Sequence, residues 1–426
     1  MSTLLQDTAP YTKVAAPCPY FGTCGGCALQ DLAYEDQVAV KQTRIRKALA
    51  DVPGLPEITV EPAPEPWRYR NKAEFTFGEA DGALVLGYHA AGSYWKVVGL
   101  EDCLLMPERA MAVVRDVRCL AAESGRGAYH ARHHHGFFRY LLVRQSRETG
   151  RVLICLITAS DRGAADPSDA SGRAVIDAMA VALTRCHPAL ASVYWGTTDR
   201  LADVARPETL IRVSGEALLE DRIGPFALSL HPLSFLQPMS QQADRLYARL
   251  SELLRPEPSR VAWDLYCGLG LIAFYLSRKA RRVYAIDTEA ANVELGRANA
   301  ARNGITNVEF RMGPVEDVLA DRRFWLGEGR ADLVAVDPPR AGLHQRAVAS
   351  LLAARPRRIA YLSCNVRSLA QDLRLLLSGF PRYRVAAVEA FDMFPQTNHA
   401  EVLAVLERTG EGAGPGTRSP AAGACR

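Results

Sequence analysis

Apolar and polar positions alternate differently in the two halves of the chain. From residue 261 onward, short apolar runs are separated by helical patterns. Residues 261–265, 282–286, 307–310, 332–336 and 358–362 read as strands, with helices such as 290–302 and 366–377 among them. Unbroken apolar runs of this length suit strands buried on both faces, and regular βα alternation implies a parallel sheet. Two further strands, 384–390 and 401–406, follow with no helix between them and predict a terminal hairpin. The expected fold class is α/β: a doubly wound C-terminal sheet with that hairpin, preceded by a strand-rich α+β region.

In the earlier half, residues 83–88, 94–98, 137–144 and 152–157 read as strands and 174–185 as a helix. An alternating pattern starts at Trp67. Before it come a basic amphipathic helix, 34–50, and a Pro-rich stretch, 53–66, read as a linker. A helix starts at Ser240, its expected N-cap. The Gly/Pro/Ala-rich tail is expected to be disordered. The resulting division is 1–66, 67–230, 231–408 and 409–426.

Composition changes this picture little. The 426 residues are 48% hydrophobic and 23% charged, with a net charge of +4, too mild to establish a nucleic-acid partner by itself. No apolar run reaches membrane-spanning length, and residues 1–16 lack a signal-peptide layout. The expectation is a cytoplasmic protein with no membrane partner. Its ten cysteines are then expected to be catalytic, metal-binding or inert rather than disulfide-bonded.

Three of them form Cys18-x5-Cys24-Gly-Gly-Cys27. Thiolates at this density suit zinc or an iron–sulfur cluster, and both need a fourth ligand. Cys103, in a turn-like segment, is the best candidate. Gly25 and Gly26 let the backbone wrap tightly. Further on, Arg68, Arg70 and Lys72 interleave with Trp67 and Tyr69, which suits single-stranded nucleic acid and equally a solvated sheet face. Arg132, Arg139 and Arg144 are further phosphate candidates. His133, His134 and His135 would point alternately to opposite faces of a strand, so they are not expected to share a metal. Lys41, Arg44, Arg46 and Lys47 read as solvated, and Cys119, Cys155 and Cys186 as buried apolar residues.

In the C-terminal half, Gly268-x-Gly270 follows the first strand and Asp287 ends the second. Such a loop lets a ligand approach the backbone, and such an acid binds ribose hydroxyls. The third glycine of the dinucleotide fingerprint is missing, which favours S-adenosylmethionine, a ligand without phosphate, over NAD. Asp337-Pro-Pro-Arg340 makes a stiff loop holding a carboxylate at a strand end. Ser363-Cys364-Asn365 places a thiol between a strand end and a helix start, where a thiolate is favoured. Asp392, His399 and Glu401 are possible bases in the hairpin turn.

Together these segments resemble the RumA/TrmA family of RNA uracil-5-methyltransferases. The matching pieces are the cysteine motif with Gln30, Tyr69-Arg-Asn-Lys-Ala-Glu-Phe75, Ser234-Phe-Leu-Gln237, Asp264-Leu-Tyr-Cys-Gly-x-Gly270, Asp337-Pro-Pro-Arg340, Ser363-Cys-Asn365 and Phe394-Pro-Gln-Thr-x-His-x-Glu401. The resemblance implies a class I methyltransferase sheet and S-adenosylmethionine contacts from Gln237, Tyr266, Asp287 and Asp337, with Gly268 and Gly270 shaping the loop. It implies Cys364 as nucleophile, Glu401 as base, and a [4Fe–4S] cluster on Cys18, Cys24, Cys27 and Cys103. The implied substrate is single-stranded or loop RNA; the sequence does not give the target, with ribosomal RNA expected ahead of transfer RNA, and the protein is expected to be a monomer.

There are departures from the family pattern. Only 17 residues precede Cys18, so the RNA-binding TRAM barrel of many members is expected to be missing. Asp287 stands where Glu is common, Leu-Gln-Pro-Met239 where Phe-Gln-Val-Asn is common, and Val366 where Pro is common. Two other functions compete. An RNA cytosine-5-methyltransferase is disfavoured because Arg340 follows the prolines where such enzymes commonly carry a second cysteine. A non-catalytic iron–sulfur RNA-binding protein is disfavoured by the presence of Cys364 and Glu401.

Overall fold

The computed structural model describes residues 11–160, 170–321, 323–324, 327 and 329–409. The expectation for the tail lies outside these residues. Helix α1 (Tyr34–Ala48) is followed by a short strand, β1 (Ile58–Glu61). The stretch read as a linker thus contributes a strand. Its partner lies over 300 residues further along the chain, and no local pattern announces that pairing.

A seven-stranded sheet comes next. It is built from β2 (Lys72–Ala80), β3 (Ala83–His89), β4 (Val97–Gly99), β5 (Phe138–Gln145), β6 (Val152–Thr158), β7 (Leu190–Thr197) and β8 (Thr209–Gly215), in the order β4-β3-β2-β5-β6-β7-β8. Its pairs are antiparallel except β6 with β7, which are parallel. Helix α2 (Glu108–Glu123) packs on β3 and β5, and α3 (Ala170–Cys186) joins β6 to β7 and packs on β7 and β8. The alternation expected from Trp67 starts only at Lys72, because residues 67–71 are irregular and Arg68 has φ 53°. Of the cysteines read as buried, Cys155 is, whereas Cys119 and Cys186 are exposed. A hairpin of β9 (Leu219–Ile223) and β10 (Phe226–Leu230) leads into α4 (Ser240–Leu254). Ser240 is not its N-cap. Met239 takes that position, and the Ser240 hydroxyl accepts from Asn71 Nδ2 at 3.1 Å.

The second sheet contains β11 (Val261–Leu265), β12 (Arg282–Asp287), β13 (Val308–Met312), β14 (Leu333–Val336), β15 (Arg358–Ser363), β16 (Tyr383–Phe391) and β17 (Glu401–Arg408). The helices between them are α5 (Leu271–Ser277), α6 (Ala290–Arg302), α7 (Val315–Val318), α8 (Gln345–Ala354) and α9 (Val366–Ser378). With β1 the order is β1-β16-β17-β15-β14-β11-β12-β13. Strands β11 to β15 pair in parallel, and β17 runs antiparallel between β15 and β16. The fold is therefore α/β, with a mixed methyltransferase-type sheet carrying the β16–β17 hairpin and a mostly antiparallel domain before it. The core strands β11, β14 and β15 are buried nearly throughout, as their unbroken apolar runs require.

Candidate active site

The carboxyl ends of β11, β12, β14 and β15 all face one edge, where ligands of open α/β sheets bind. Because β17 is antiparallel to β15, its first residue reaches this same edge. Ser363 pairs with Val402, so Cys364 and Glu401 are the next residues outward on strands roughly 5 Å apart. Both line a cleft of about 870 Å³, together with Gln237, Tyr266, Gly268, Asp287, Asp337 and Arg340. That volume suits a small-molecule cofactor with an inserted base. Gly270 lies outside the lining and instead N-caps α5 at φ 81°.

The loop after β11 holds three left-handed residues, Tyr266 (φ 63°), Gly268 (φ 53°) and Gly270. Tyr266 is the costly one, since a side chain in that region is strained by about 1–2 kcal/mol. Asp287 fastens the loop by accepting from Gly268 N at 2.8 Å, while its other oxygen accepts from Glu289 N at 2.9 Å. Gln237 is buried, and its Oε1 has no partner. Such an orphan acceptor at a cleft wall is costly unless a ligand donates to it.

The loop after β14 is pinned at two points. Leu343 N donates to Asp372 Oδ2 of α9 (2.8 Å), and Asn365 Nδ2 donates to Arg340 O (2.8 Å). Asn365 also N-caps α9, accepting from Arg367 N. Burial raises the Asp337 carboxyl to about 7. Glu401 rises to about 8, by burial first and then by the Asp337 charge, with Arg340 opposing. Its Oε2 has no partner. Two buried acids side by side resist ionising together.

The helix start after Cys364 was expected to lower its thiol pKa. Instead the thiol is pushed up, by burial first and then by Glu401, while Arg340 lowers it through its charge and a hydrogen bond. Nothing local in Asp337-Pro-Pro-Arg340 signals this role for Arg340. Of the three possible bases, Asp392 is fully buried against Lys41 at 2.5 Å and cannot serve. His399 lines the cleft beside Glu401.

Cys18, Cys24, Cys27 and Cys103 line one smaller cavity, which shares Gly26, Cys27, Arg70 and Tyr88 with the larger cleft. A Cβ on Gly25 would lie 2.9 Å from the His89 carbonyl oxygen, so only glycine fits that crossing. Among the described residues, no three His, Cys, Asp or Glu are grouped closely enough to hold one metal ion. His133 and His134 lie in a turn, with His134 at φ 54°, and His135 closes it through an isolated bridge to His130.

Most of the cations expected to grip RNA are occupied internally. Arg68 forks onto Asp102 at 2.6 and 2.9 Å. Lys72 pairs with Glu74. Arg139 and Arg144 are buried and donate to the carbonyls of Thr198 and Pro232. Arg132 instead stacks on Trp95 at 5.0 Å, beside the exposed Tyr94. These two rings, expected in a strand over 94–98, precede β4, which begins only at Val97. Phe235, without a local signal in the sequence, is 59% exposed at the rim of the large cleft. Among the described residues no helix is long and apolar enough to cross a membrane.

The fold and the cleft define a class I, S-adenosylmethionine-type methyltransferase. Residues 226–409 match the family model described as tRNA (Uracil-5-)-methyltransferase. An uncharacterized RNA methyltransferase of Halalkalibacterium halodurans is 33% identical over 399 residues, which cover 93% of this chain and 84% of the relative. One of Gloeobacter violaceus is 34% identical over 402 residues, covering 93% and 83%. The crystal structure of the tRNA (uracil-54, C5)-methyltransferase of Pyrococcus abyssi, in complex with S-adenosyl-L-homocysteine, superposes with a TM-score of 0.70. It is 26% identical, over 89% of this chain and 85% of that one. The chain belongs to the S-adenosylmethionine-dependent RNA (uracil-5-)-methyltransferase family.

Proposed function

We propose that this protein methylates carbon 5 of an unpaired uridine in RNA through a covalent bond between Cys364 and the base. The observation that carries this reading is the β15–β17 register, which sets Cys364 level with Glu401 at the cleft. S-adenosylmethionine, when bound, supplies an electrophilic methyl group. Uracil carbon 5 is a poor nucleophile, so the Cys364 thiolate adds to carbon 6 and gives carbon 5 carbanion character. Once carbon 5 carries the methyl group, Glu401 takes its proton as general base. Elimination of Cys364 then restores the aromatic ring.

Arg340 is the cation that offsets burial of the attacking thiol. The orphan Gln237 oxygen, the strained Tyr266 and Asp287 are the proposed cofactor contacts, with Gly268 and Gly270 shaping the loop. Asp337, whose carboxyl burial raises to about 7, can hydrogen-bond a base edge or the cofactor. Phe235 offers its face to the extruded base, and Tyr94, Trp95 and Arg132 offer stacking to flanking nucleotides.

Cys18, Cys24, Cys27 and Cys103 are the proposed ligands of a [4Fe–4S] cluster. Four thiols around one cavity match the four-cysteine ligand set of such a cluster. Ribosomal RNA is the proposed target. The P. abyssi relative, which acts on tRNA, favours transfer RNA as the second reading.

The test maps 5-methyluridine in both RNAs from a strain lacking the protein, then complements it with wild type or Cys364→Ala. One site should disappear and return only with wild type, while purified Cys364→Ala still binds S-adenosylmethionine. Methylation by the alanine variant would sink the covalent mechanism.

A further inference from the structure

The hairpin turn between β16 and β17 carries the Phe394–Glu401 segment, and its supports come from the far end of the chain. Lys41 Nζ on α1 donates to Asp392 Oδ1 at 2.5 Å and to the Phe394 carbonyl at 3.0 Å. Both ionic side chains are 0% exposed. Tyr34, about two turns earlier on α1, donates to the other Asp392 oxygen at 2.9 Å and accepts from Ala63 N at 2.7 Å.

Gln37 forms a reciprocal pair with Gln396. Its Nε2 donates to Gln396 Oε1 at 2.9 Å, and its Oε1 accepts from Gln396 N at 3.0 Å. Gln396 has φ 69°, a strained conformation that needs outside support. Its carbonyl accepts from Ala28 N and Leu29 N at 2.9 and 3.1 Å. The Tyr69 hydroxyl donates to Pro395 O at 3.2 Å, and Asp392 N donates to Glu61 O at 2.9 Å. The turn is thus held from outside by residues between Ala28 and Tyr69.

A fully buried ion pair is a weak way to gain stability, because desolvation offsets most of the attraction and apolar residues of similar volume serve as well. What it does supply is a fixed position. Asp392 Oδ1 also accepts from Phe394 N at 3.2 Å, so this carboxylate is tied to α1 and to the turn at once. The strand that follows begins at Glu401, the group that must meet one proton on one carbon. Misplacing such a group by about 1 Å can cost 10²-fold.

We propose that Gln37 and Lys41 of α1 are positioning residues for Glu401. They lock the hairpin turn so that the base faces carbon 5 after the methyl group has arrived. This rests on the reading of Cys364 as nucleophile and Glu401 as base. It extends that reading to a helix whose cations look like solvated surface.

The reaction sequence allows a test that separates positioning from general support. With 5-fluorouridine in the RNA, carbon 5 has no proton to lose, so the covalent adduct persists and reports only attack and methyl arrival. With ordinary uridine, release of 5-methyluridine also needs Glu401. The variants are Gln37→Met, Lys41→Met and the double substitution Lys41→Met/Asp392→Leu, which removes both buried charges and guards against unfolding. The substrates are total RNA from the deletion strain grown with and without 5-fluorouracil.

Wild type should trap on the fluorinated RNA and turn over on the ordinary RNA. The double variant should melt near the wild type, bind S-adenosylmethionine with unchanged Kd, and trap on fluorinated RNA at the wild-type rate. Its release from ordinary RNA should slow about 10- to 10²-fold, with adduct accumulating on denaturing gels. Gln37→Met should show the same split to a smaller extent. Equal slowing of trapping and release, or wild-type release by the double variant, overturns the proposal. No trapping and no methylation by wild type would instead refute the nucleophile–base reading itself.

Discussion

Two buried carboxylates lie at the two ends of one hairpin turn, and they have opposite surroundings. Asp392 is met by an ammonium, a phenol and a backbone N–H. Glu401 is met by another acid, Asp337, which raises its pKa further, and one of its oxygens has no partner. Both sit in the same layer of the protein, so depth alone does not separate structure from chemistry. Completeness of partnering does. The satisfied carboxylate holds the turn, while the unsatisfied one is left with a strong affinity for a proton.

The strongest test of this contrast replaces each acid's charge. Glu401→Gln should cut release of 5-methyluridine by about 10²–10⁴-fold, leaving the covalent adduct to accumulate, while raising the melting temperature, because a neutral amide no longer resists burial. Lys41→Met should do the reverse to the protein's balance. It leaves Asp392 as an uncompensated buried charge and should cost about 3–5 kcal/mol in denaturant unfolding, most of it recovered in the Lys41→Met/Asp392→Leu pair.

A pH series sharpens the difference. The folded-state pKa of Glu401, about 8, exceeds its ordinary value of 4.5, so the folded protein binds more protons than the unfolded chain between those values. Stability from this group therefore falls as pH rises through that window, and the gain from Glu401→Gln should grow with pH and level off above about 8. Turnover should move the other way. The rate rises with pH because base and thiol must both be deprotonated and both are raised, and since the thiol's ordinary value is already 9.0 the rise continues beyond the Glu401 window. A rate flat from pH 6 to 9 would remove Glu401 from the role of base.

The smallest expected effect lies at the loop. Gly270→Ala would set a Cβ 2.5 Å from Phe310 Cζ at φ 81°. The strain is about 1–2 kcal/mol, and S-adenosylmethionine affinity by calorimetry should weaken roughly tenfold.

How far the sequence revealed these regions follows the same division between local and distant partners. Strands β11 and β15 were legible because burial on both faces writes an unbroken apolar run. The cleft residues were legible because strand ends and glycine loops have local signatures. The antiparallel domain was less so. Strand β8 is largely exposed and has no clean alternation, and in α2 three β-branched valines weaken the helical signal. Lys41 read as solvated because its partner lies 351 residues away. Strand β1 hid between prolines, since what makes it a strand is Val388 to Phe391. Arg68 was illegible for a related reason: its charge answers Asp102 and the carbonyls of Cys103 and Met106, which only the folded chain brings near.

Among the described residues β17 is the strand furthest along the chain, yet it occupies the interior of its sheet, between β15 and β16. Until residues 401–408 emerge from the ribosome, two neighbouring strands present unpaired edges, a hazard for aggregation. The final strand closes that gap and, in the same act, brings its leading carboxylate beside the thiol. A chain cut short before residue 401 would therefore lack both the closed sheet and the carboxylate that the register sets beside Cys364.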